Sequence, residues 1–67
     1  MKIFAERLKE LRQEKGLSIE ELAKEVKIGH SSICRWENGQ ADVKGIHLII
    51  LAKYFDVTTD FLLGLEN

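Results

Sequence analysis

Residues 18–39, SIEELAKEVKIGHSSICRWENG, decide the fold of this chain. Leu22, Ala23 and Val26 follow one another at i, i+1 and i+4, which places their side chains on one face of a helix. We predict that this helix begins at Ser18 and ends near Val26. Because Ala23 has a small side chain, the pattern also predicts that a second helix crosses this one closely.

The partner is a second short helix, predicted from about His30 to Asn38. Ile33, Trp36 and Glu37 share one of its faces, as the apolar residues of the first helix do. A tight turn joins the two helices.

The stretch also carries signals for where its helices begin and end. Ser18 followed by Glu21 fits a capping box, which satisfies free amides at a helix start. Gly39 can adopt the left-handed conformation that ends the second helix.

Length and composition limit the function classes. Sixty-seven residues predict one domain, 1–67, whose core is too small for both an internal catalytic cavity and a second functional module. No apolar run approaches the roughly 18 residues of a membrane span, and residues 1–15 do not resemble a signal peptide. The single cysteine, Cys34, excludes an internal disulfide. We therefore expect a cytoplasmic protein that does not associate with membranes.

The region before the central stretch is predicted to form a helix over residues 3–15. Phe4, Leu8 and Leu11 form a narrow apolar stripe on it, and the other faces are charged. Gly16 is predicted to end this helix.

Residues 40–43 are predicted to form a loop, with Asp42 as the cap of a fourth helix that runs to about Phe55. Thr58 is predicted to cap a short fifth helix, Thr59 to Leu63, and Gly64 to stop it. Residues 65–67 are predicted to form a tail after this helix.

The chain resembles the Cro/phage-repressor helix-turn-helix family. The shared residues are Leu17, Ser18, Glu21, Leu22, Ala23, Val26, Ser32, Ile33, Trp36, Glu37, Asn38 and Gly39. WENG at 36–39 is the most specific part, and the likeness continues through LAKYFDVTTDFLLG at 51–64. The resemblance implies an all-α, compact five-helix, lambda-repressor-like domain whose third helix enters the major groove of double-stranded DNA. It implies no cofactor.

The resemblance also implies several structural roles. Arg12 stands where the family carries an arginine that pairs with the glutamate of WENG, here Glu37. Lys27 and Asp56 stand where the family commonly has glycine, so both are expected to be left-handed. The core positions expected in the fourth helix are Leu48, Leu51, Ala52 and Phe55.

Base contacts are predicted at the exposed face of the third helix. His30, Ser31 and Arg35 lie opposite its apolar face and fall on the family's base-facing positions. Arg35 can bond guanine O6 and N7 with two hydrogen bonds, which makes it the main candidate for specificity.

Phosphate contacts are predicted at the start of the second helix, along the third and in the adjoining segments. Ile19 departs from the glutamine common in the family and is expected to pack on a sugar or on a partner protein. The candidates are Ser18, Ile19, Lys27, Ser32, Asn38, Gln40 and Lys44.

A homodimer is predicted because apolar residues near the end of the chain exceed what a small core absorbs. The candidate interface residues are Ile46, Ile49, Ile50, Tyr54, Phe61 and Leu65. The alternative is that several of them fill space left by Gly45 and Thr59.

Metal binding and catalysis are disfavoured. His30 and Cys34 share a helical face and His47 could approach them, but zinc sites usually need three or four ligands with recognisable spacing. No oriented base accompanies Cys34 or a serine, so no enzyme activity is expected.

These observations predict a sequence-specific transcriptional regulator, a repressor that occludes a promoter as a dimer on a palindromic operator. One alternative is an antitoxin-type autoregulator that holds a toxin. The other is a protein-interaction module without DNA binding, supported by Ile19 and the net charge of −1. The acidic residues lie mostly outside the segment expected to meet DNA.

Overall fold

The computed structural model describes residues 1–66, and within that range the chain forms five α-helices, which confirms the all-α prediction. Asn67, part of the predicted tail, lies outside the described residues. None of these helices is long and apolar enough to cross a membrane. The helices are α1 (Lys2–Glu14), α2 (Ile19–Val26), α3 (His30–Glu37), α4 (Gly45–Phe55) and α5 (Thr59–Leu63).

Two of the predicted side-chain caps are present. Ser18 Oγ accepts a hydrogen bond from the Glu21 amide at 3.1 Å, and the Ser18 amide donates to Glu21 Oε1 at 2.8 Å. This is the capping box predicted for α2. At α5, Thr58 Oγ accepts from the Phe61 amide at 2.9 Å.

The predicted cap of α4 is wrong. The helix begins at Gly45 with Lys44 as its N-cap residue, and no side chain caps it. Asp42 lies two residues before the N-cap residue, and its side chain makes no hydrogen bond to the start of the helix. The loop runs past Asp42 because Val43 packs against the core and its amide donates to Met1 Sδ at 3.4 Å.

The two predicted left-handed residues are confirmed. Lys27 has φ 57° and ψ 40°, and Asp56 has φ 56° and ψ 47°. The turn after Lys27 brings Ile28 into the core, where the Ile28 amide donates to the Ala23 carbonyl at 3.2 Å. A lysine in this conformation costs about 1 kcal/mol relative to glycine.

One core joins all five helices. Leu8, Leu22, Ile33, Leu51 and Leu62 are fully buried in it. α1 packs on α3 and α5, and α2 packs on α3 and α4. The four core residues predicted in α4 are buried: Leu48, Leu51, Ala52 and Phe55.

The first and last helices are joined by Arg7. Its guanidinium donates to the Phe61 carbonyl and, at 2.7 Å, to the Glu66 carbonyl. It also lies 4.3 Å from the centre of the Phe61 ring. Arg7 therefore holds α5 and the residues after it against α1.

The six predicted interface residues do not form one uniformly exposed set. Ile46, Ile49 and Leu65 are 63, 46 and 72 % exposed. Ile50, Tyr54 and Phe61 are half-buried. Tyr54 donates to Glu25 Oε1 at 3.4 Å, so it also has a partner on α2.

Candidate nucleic-acid interface

Helix α3 presents different residues on its two faces. Ile33 and Trp36 are buried, while His30, Ser31 and Arg35 are exposed. The N-cap residue of α3 is Gly29, which has no side chain and leaves the first turn uncovered. The three predicted base-contacting residues therefore lie on a face that a ligand can reach.

The back of α3 is tied to α1 by the ion pair that the family resemblance implied. Arg12 Nε donates to Glu37 Oε2 at 2.7 Å, and Arg12 Nη2 donates to Oε1 at 2.9 Å. A further bond from Arg12 Nη1 reaches the Leu17 carbonyl at 2.7 Å. The side chains are only 12 % and 5 % exposed. A two-bonded pair of this kind fixes the angle of α3 on the domain.

The same contact changes the acidity of the arginine. The hydrogen bond to Glu37 raises the pKa of Arg12 above its ordinary value, partial burial opposes the rise, and the negative charge of Glu37 adds to it. The contact with Glu37 therefore favours the charged form of the arginine.

The predicted phosphate-contacting residues fall into two groups. Ile19 and Ser32 are half-buried, and Ile19 packs partly on the core. Asn38 Nδ2 lies 3.7 Å from Cys34 Sγ, on the exposed side of the helix end. The exposed residues are Ser18, Lys27, Asn38, Gln40 and Lys44.

Three of the predicted contact residues meet at one cavity between α3 and the start of α4. The cavity has a volume of about 240 Å³, and Ser32, Arg35 and Lys44 contribute to its wall. Its remaining walls come from Trp36, Ala41, Asp42 and His47. The structure thus brings a predicted base-contacting residue and two predicted phosphate-contacting residues together.

His47 is the residue of this region that the sequence interpretation missed as a contact. Its ring lies 5.3 Å from that of Trp36 and is tilted by 50°. Its Nδ1 is shielded from solvent and has no hydrogen-bond partner within residues 1–66. The position of His47 follows from the residue at which α4 begins. The sequence analysis placed that start too early, with Asp42 as the cap, and so gave no reason to expect His47 in this region.

The residues considered for a metal do not assemble. Within residues 1–66, no three His, Cys, Asp or Glu side chains come together as a candidate metal site. Cys34 is a free, half-buried thiol.

Comparisons with known proteins agree with this architecture. The helix-turn-helix family profile matches residues 8–62. The restriction-modification controller protein C.AhdI from Aeromonas hydrophila superimposes with a TM-score of 0.82 and 36 % identity, over 91 % of this chain and 92 % of that one. The chain therefore belongs to the Cro/C1-type helix-turn-helix family of DNA-binding transcriptional regulators.

Curated relatives extend the comparison. The transcriptional activator BcrR of Enterococcus faecalis is 36 % identical over 64 residues, which are 96 % of this chain and 31 % of that protein. The regulator ImmR of Bacillus subtilis is 36 % identical over 96 % of this chain and 50 % of its own length. YobD of the same organism, an uncharacterised regulator, is 35 % identical over 97 % of this chain and 58 % of its own length. The chain thus spans between about a third and three fifths of these relatives.

Proposed function

We propose that this chain represses transcription by binding a palindromic operator as a homodimer and occluding a promoter. The observation that carries the proposal is the exposed face of α3, which holds His30, Ser31 and Arg35 on a helix fixed from behind by the Arg12–Glu37 pair. A helix held at a set angle can place the same side chains against the same base edges each time it docks.

Base recognition is assigned to the exposed residues of α3. Arg35 donates two hydrogen bonds to a guanine, and His30 and Ser31 contact bases near the start of the helix. Arg35 is the strongest discriminator of the three, because a two-bonded contact is lost when the base changes.

Phosphate contacts position the domain without reading sequence. Lys27 and Lys44 are exposed, and within residues 1–66 neither forms a salt bridge with a carboxylate, so both charges are free for DNA. The side chain of Ile19 cannot donate to an oxygen and packs on a sugar or on a partner protein, so the phosphate contact of this residue is made by its backbone amide at the start of α2. The assigned phosphate side is Ser18, Ile19, Lys27, Ser32, Asn38, Gln40 and Lys44.

The homodimer is assigned to the outer surface of α4 and α5. A domain of this size reads only a few base pairs, and two copies about 34 Å apart read a palindrome. Ile46, Ile49 and Leu65 are the exposed apolar residues available for the contact. Such an interface is small, so a weak dimer that tightens on DNA is expected.

Selection of bound sequences from a random duplex pool tests DNA recognition, followed by gel shifts with the selected duplex. We expect Arg35→Ala to cost about 1–3 kcal/mol and to relax preference at one position. Lys44→Ala should weaken all duplexes alike and flatten the salt dependence. Equal, sequence-independent losses from both variants would refute the role of Arg35.

The direction of regulation is tested separately, by placing the selected site over a promoter in an in vitro transcription assay. A repressor lowers transcript yield in proportion to site occupancy. A rise in yield would assign this chain to activation, the role named for BcrR. A cytoplasmic location is part of the proposal, since the single cysteine is a free thiol and suits a reducing compartment.

A second candidate function is an autoregulator that also holds a protein partner, such as a toxin. The exposed isoleucines of α4 favour it, because they offer an apolar surface to any partner. Copurification of a stoichiometric small basic protein from the host would support this candidate, and a lone homodimer would exclude it.

A further inference from the structure

The end of α5 holds one leucine in an exposed position. The Leu65 amide donates to the Asp60 carbonyl at 2.8 Å, and the Gly64 amide donates to the Phe61 carbonyl at 3.1 Å. These two bonds form the Schellman motif, in which the residue at the place of Leu65 often packs on an apolar residue one turn back on its own helix. Here the residues one turn back are Thr59 and Asp60, which are polar. Leu65 is 72 % exposed as a result.

The backbone around Leu65 is held in place on both sides. After it, the Glu66 carbonyl accepts a hydrogen bond from the Arg7 guanidinium at 2.7 Å. Before it, Gly64 lies so close to α1 that a Cβ atom on this glycine would be 2.7 Å from Ile3 Cγ2. A side chain on a backbone that is already ordered loses less conformational freedom when a partner covers it. Leu65 is therefore prepared for a contact that its own chain does not supply.

An apolar groove lies beside this leucine, between the start of α1 and the end of α5. Its volume is about 380 Å³, and it is lined by Met1, Lys2, Ile3, Phe4 and Leu63. Met1 and Ile3 are 38 and 49 % exposed, so the groove is open to a partner. Because Ile3 contacts Gly64, the residue before Leu65, the groove and the leucine are neighbours on one surface.

The charges beside the groove and beside the leucine have opposite signs. Lys2 lines the groove, is exposed, and within residues 1–66 forms no salt bridge. Glu66 follows Leu65 and is also exposed. Its Oε1 accepts the hydroxyl of Thr58, which leaves the second carboxylate oxygen for another donor. A surface that carries an apolar side chain next to an acid, and an apolar groove next to a base, is complementary to a second copy of itself.

We propose that in the homodimer Leu65 of each copy inserts into the groove between α1 and α5 of the other, and that Lys2 of one copy pairs with Glu66 of the other. The inference rests on the proposed function, because the homodimer is part of it. It adds the start of α1, which the sequence analysis left out of the interface. Two-fold symmetry makes each contact twice, so the surface closes as a dimer and leaves no free copy of itself for a third chain.

Charge reversal tests the pairing of Lys2 with Glu66. The quantity measured is the affinity for the full palindrome divided by the affinity for a half-site, which cancels effects of the charge on DNA contacts within one copy. In Lys2→Glu or Glu66→Lys alone, two like-charge contacts replace two attractive ones. We expect this ratio to fall about tenfold at low salt in each variant. Both positions are exposed, so thermal unfolding should be nearly unchanged.

An equal mixture of the two variants is the decisive sample. In a dimer of one Lys2→Glu copy and one Glu66→Lys copy, both contacts again join opposite charges. The mixture should therefore recover most of the wild-type ratio, although neither variant does so alone. Lys9→Glu and Glu10→Lys, at exposed positions elsewhere on α1, are the matched control and should keep the wild-type ratio alone and mixed. Loss in the single variants without recovery in the mixture would overturn the inference, because it would place the pair within one chain.

Truncation of the leucine tests the apolar contact. Leu65→Ala should lower the ratio about tenfold, since two buried side chains are shortened in each dimer, whereas Leu65→Met keeps the apolar bulk and should retain the ratio. A wild-type ratio that persists in Leu65→Ala and in both charge variants would overturn this inference alone and assign the groove to a different partner. A wild-type protein with no preference for the palindrome over the half-site would overturn the proposed homodimer as well.

Discussion

Two residues show how single side chains set the geometry of the recognition helix. Glu37 accepts two hydrogen bonds from Arg12 on a largely buried surface, and Lys27 holds a left-handed conformation in the turn before α3. Neither residue belongs to the exposed face of α3. Both help to set the position of that helix on the domain.

Removal of the Glu37 carboxylate should destabilise the domain. Glu37→Ala leaves the Arg12 guanidinium charged and unpaired in a mostly buried position, and we expect a loss of about 3 kcal/mol in the free energy of unfolding. Urea denaturation measures it. Glu10→Ala, at an exposed position of α1, is the control and should change stability by no more than about 0.5 kcal/mol. A similarly small change for Glu37→Ala would contradict the structural role of the pair.

Replacement of Lys27 by glycine should stabilise the domain. A positive φ is unfavourable for lysine and not for glycine, so Lys27→Gly should raise the free energy of unfolding by about 1 kcal/mol. Lys24 is exposed and lies in the middle of α2, so Lys24→Gly should lower the free energy of unfolding by about 1 kcal/mol, because glycine is a poor helix former. Thermal unfolding of both variants distinguishes the two effects, and a loss of stability in Lys27→Gly would show that its side chain matters more than its backbone.

At the level of the helices, local sequence signals predicted most of the fold. The capping box at Ser18 and the cap at Thr58 depend on neighbours within a few residues, so each could be predicted from the local sequence. The left-handed Lys27 is predicted instead by the resemblance, because the family commonly has glycine at this position. The start of α4 could not, because the packing of Val43 on the core extends the loop beyond Asp42. A polar residue in the right local pattern is not a cap when a neighbouring apolar residue holds the chain elsewhere.

The uncapped start of α4 leads to a prediction with opposite effects on stability and DNA binding. Lys44 has the extended conformation of an N-cap residue but offers no oxygen to the first amides of the helix. Lys44→Ser should add a cap and gain about 1 kcal/mol in stability. It should also weaken DNA binding, since the proposed phosphate contact is removed. Asp42→Ala should leave the free energy of unfolding unchanged. A large decrease in this variant would indicate that Asp42 caps α4 after all.

On the scale of the whole molecule, the site depends on contacts that no local pattern reveals. The cavity combines Arg35 from α3, Asp42 from a loop and His47 from α4. The family position predicts Arg35 as a contact and its positive charge predicts Lys44, but His47 joins them only because α4 packs beside Trp36. The split of the six interface candidates into exposed and half-buried residues likewise follows from the final packing.

The dimer is the prediction that belongs to this scale. Ile49→Glu places a charge on the proposed interface at a position that the monomer leaves about half exposed, so the monomer should remain folded. Sedimentation on a half-site and on a full palindrome should show two wild-type copies on the palindrome, with higher affinity than on the half-site. Ile49→Glu should lose this gain, whereas Gln13→Glu on the exposed side of α1 should keep it. One wild-type copy per palindrome at saturation would exclude the dimer.

The hydrogen bonds that Arg7 donates to α5 and to the residues after it have a consequence for local unfolding. With five residues, α5 is too short to persist as an isolated helix, and it depends on Leu62 in the core and on Arg7 from the far end of the chain. It is therefore the segment expected to detach at the lowest free energy, before the rest of the domain opens. Phe61 and Leu65 belong to the proposed dimer surface. A second copy bound to that surface would therefore stabilise α5, the least stable helix of the first copy. Dimer formation and the ordering of α5 would then be coupled.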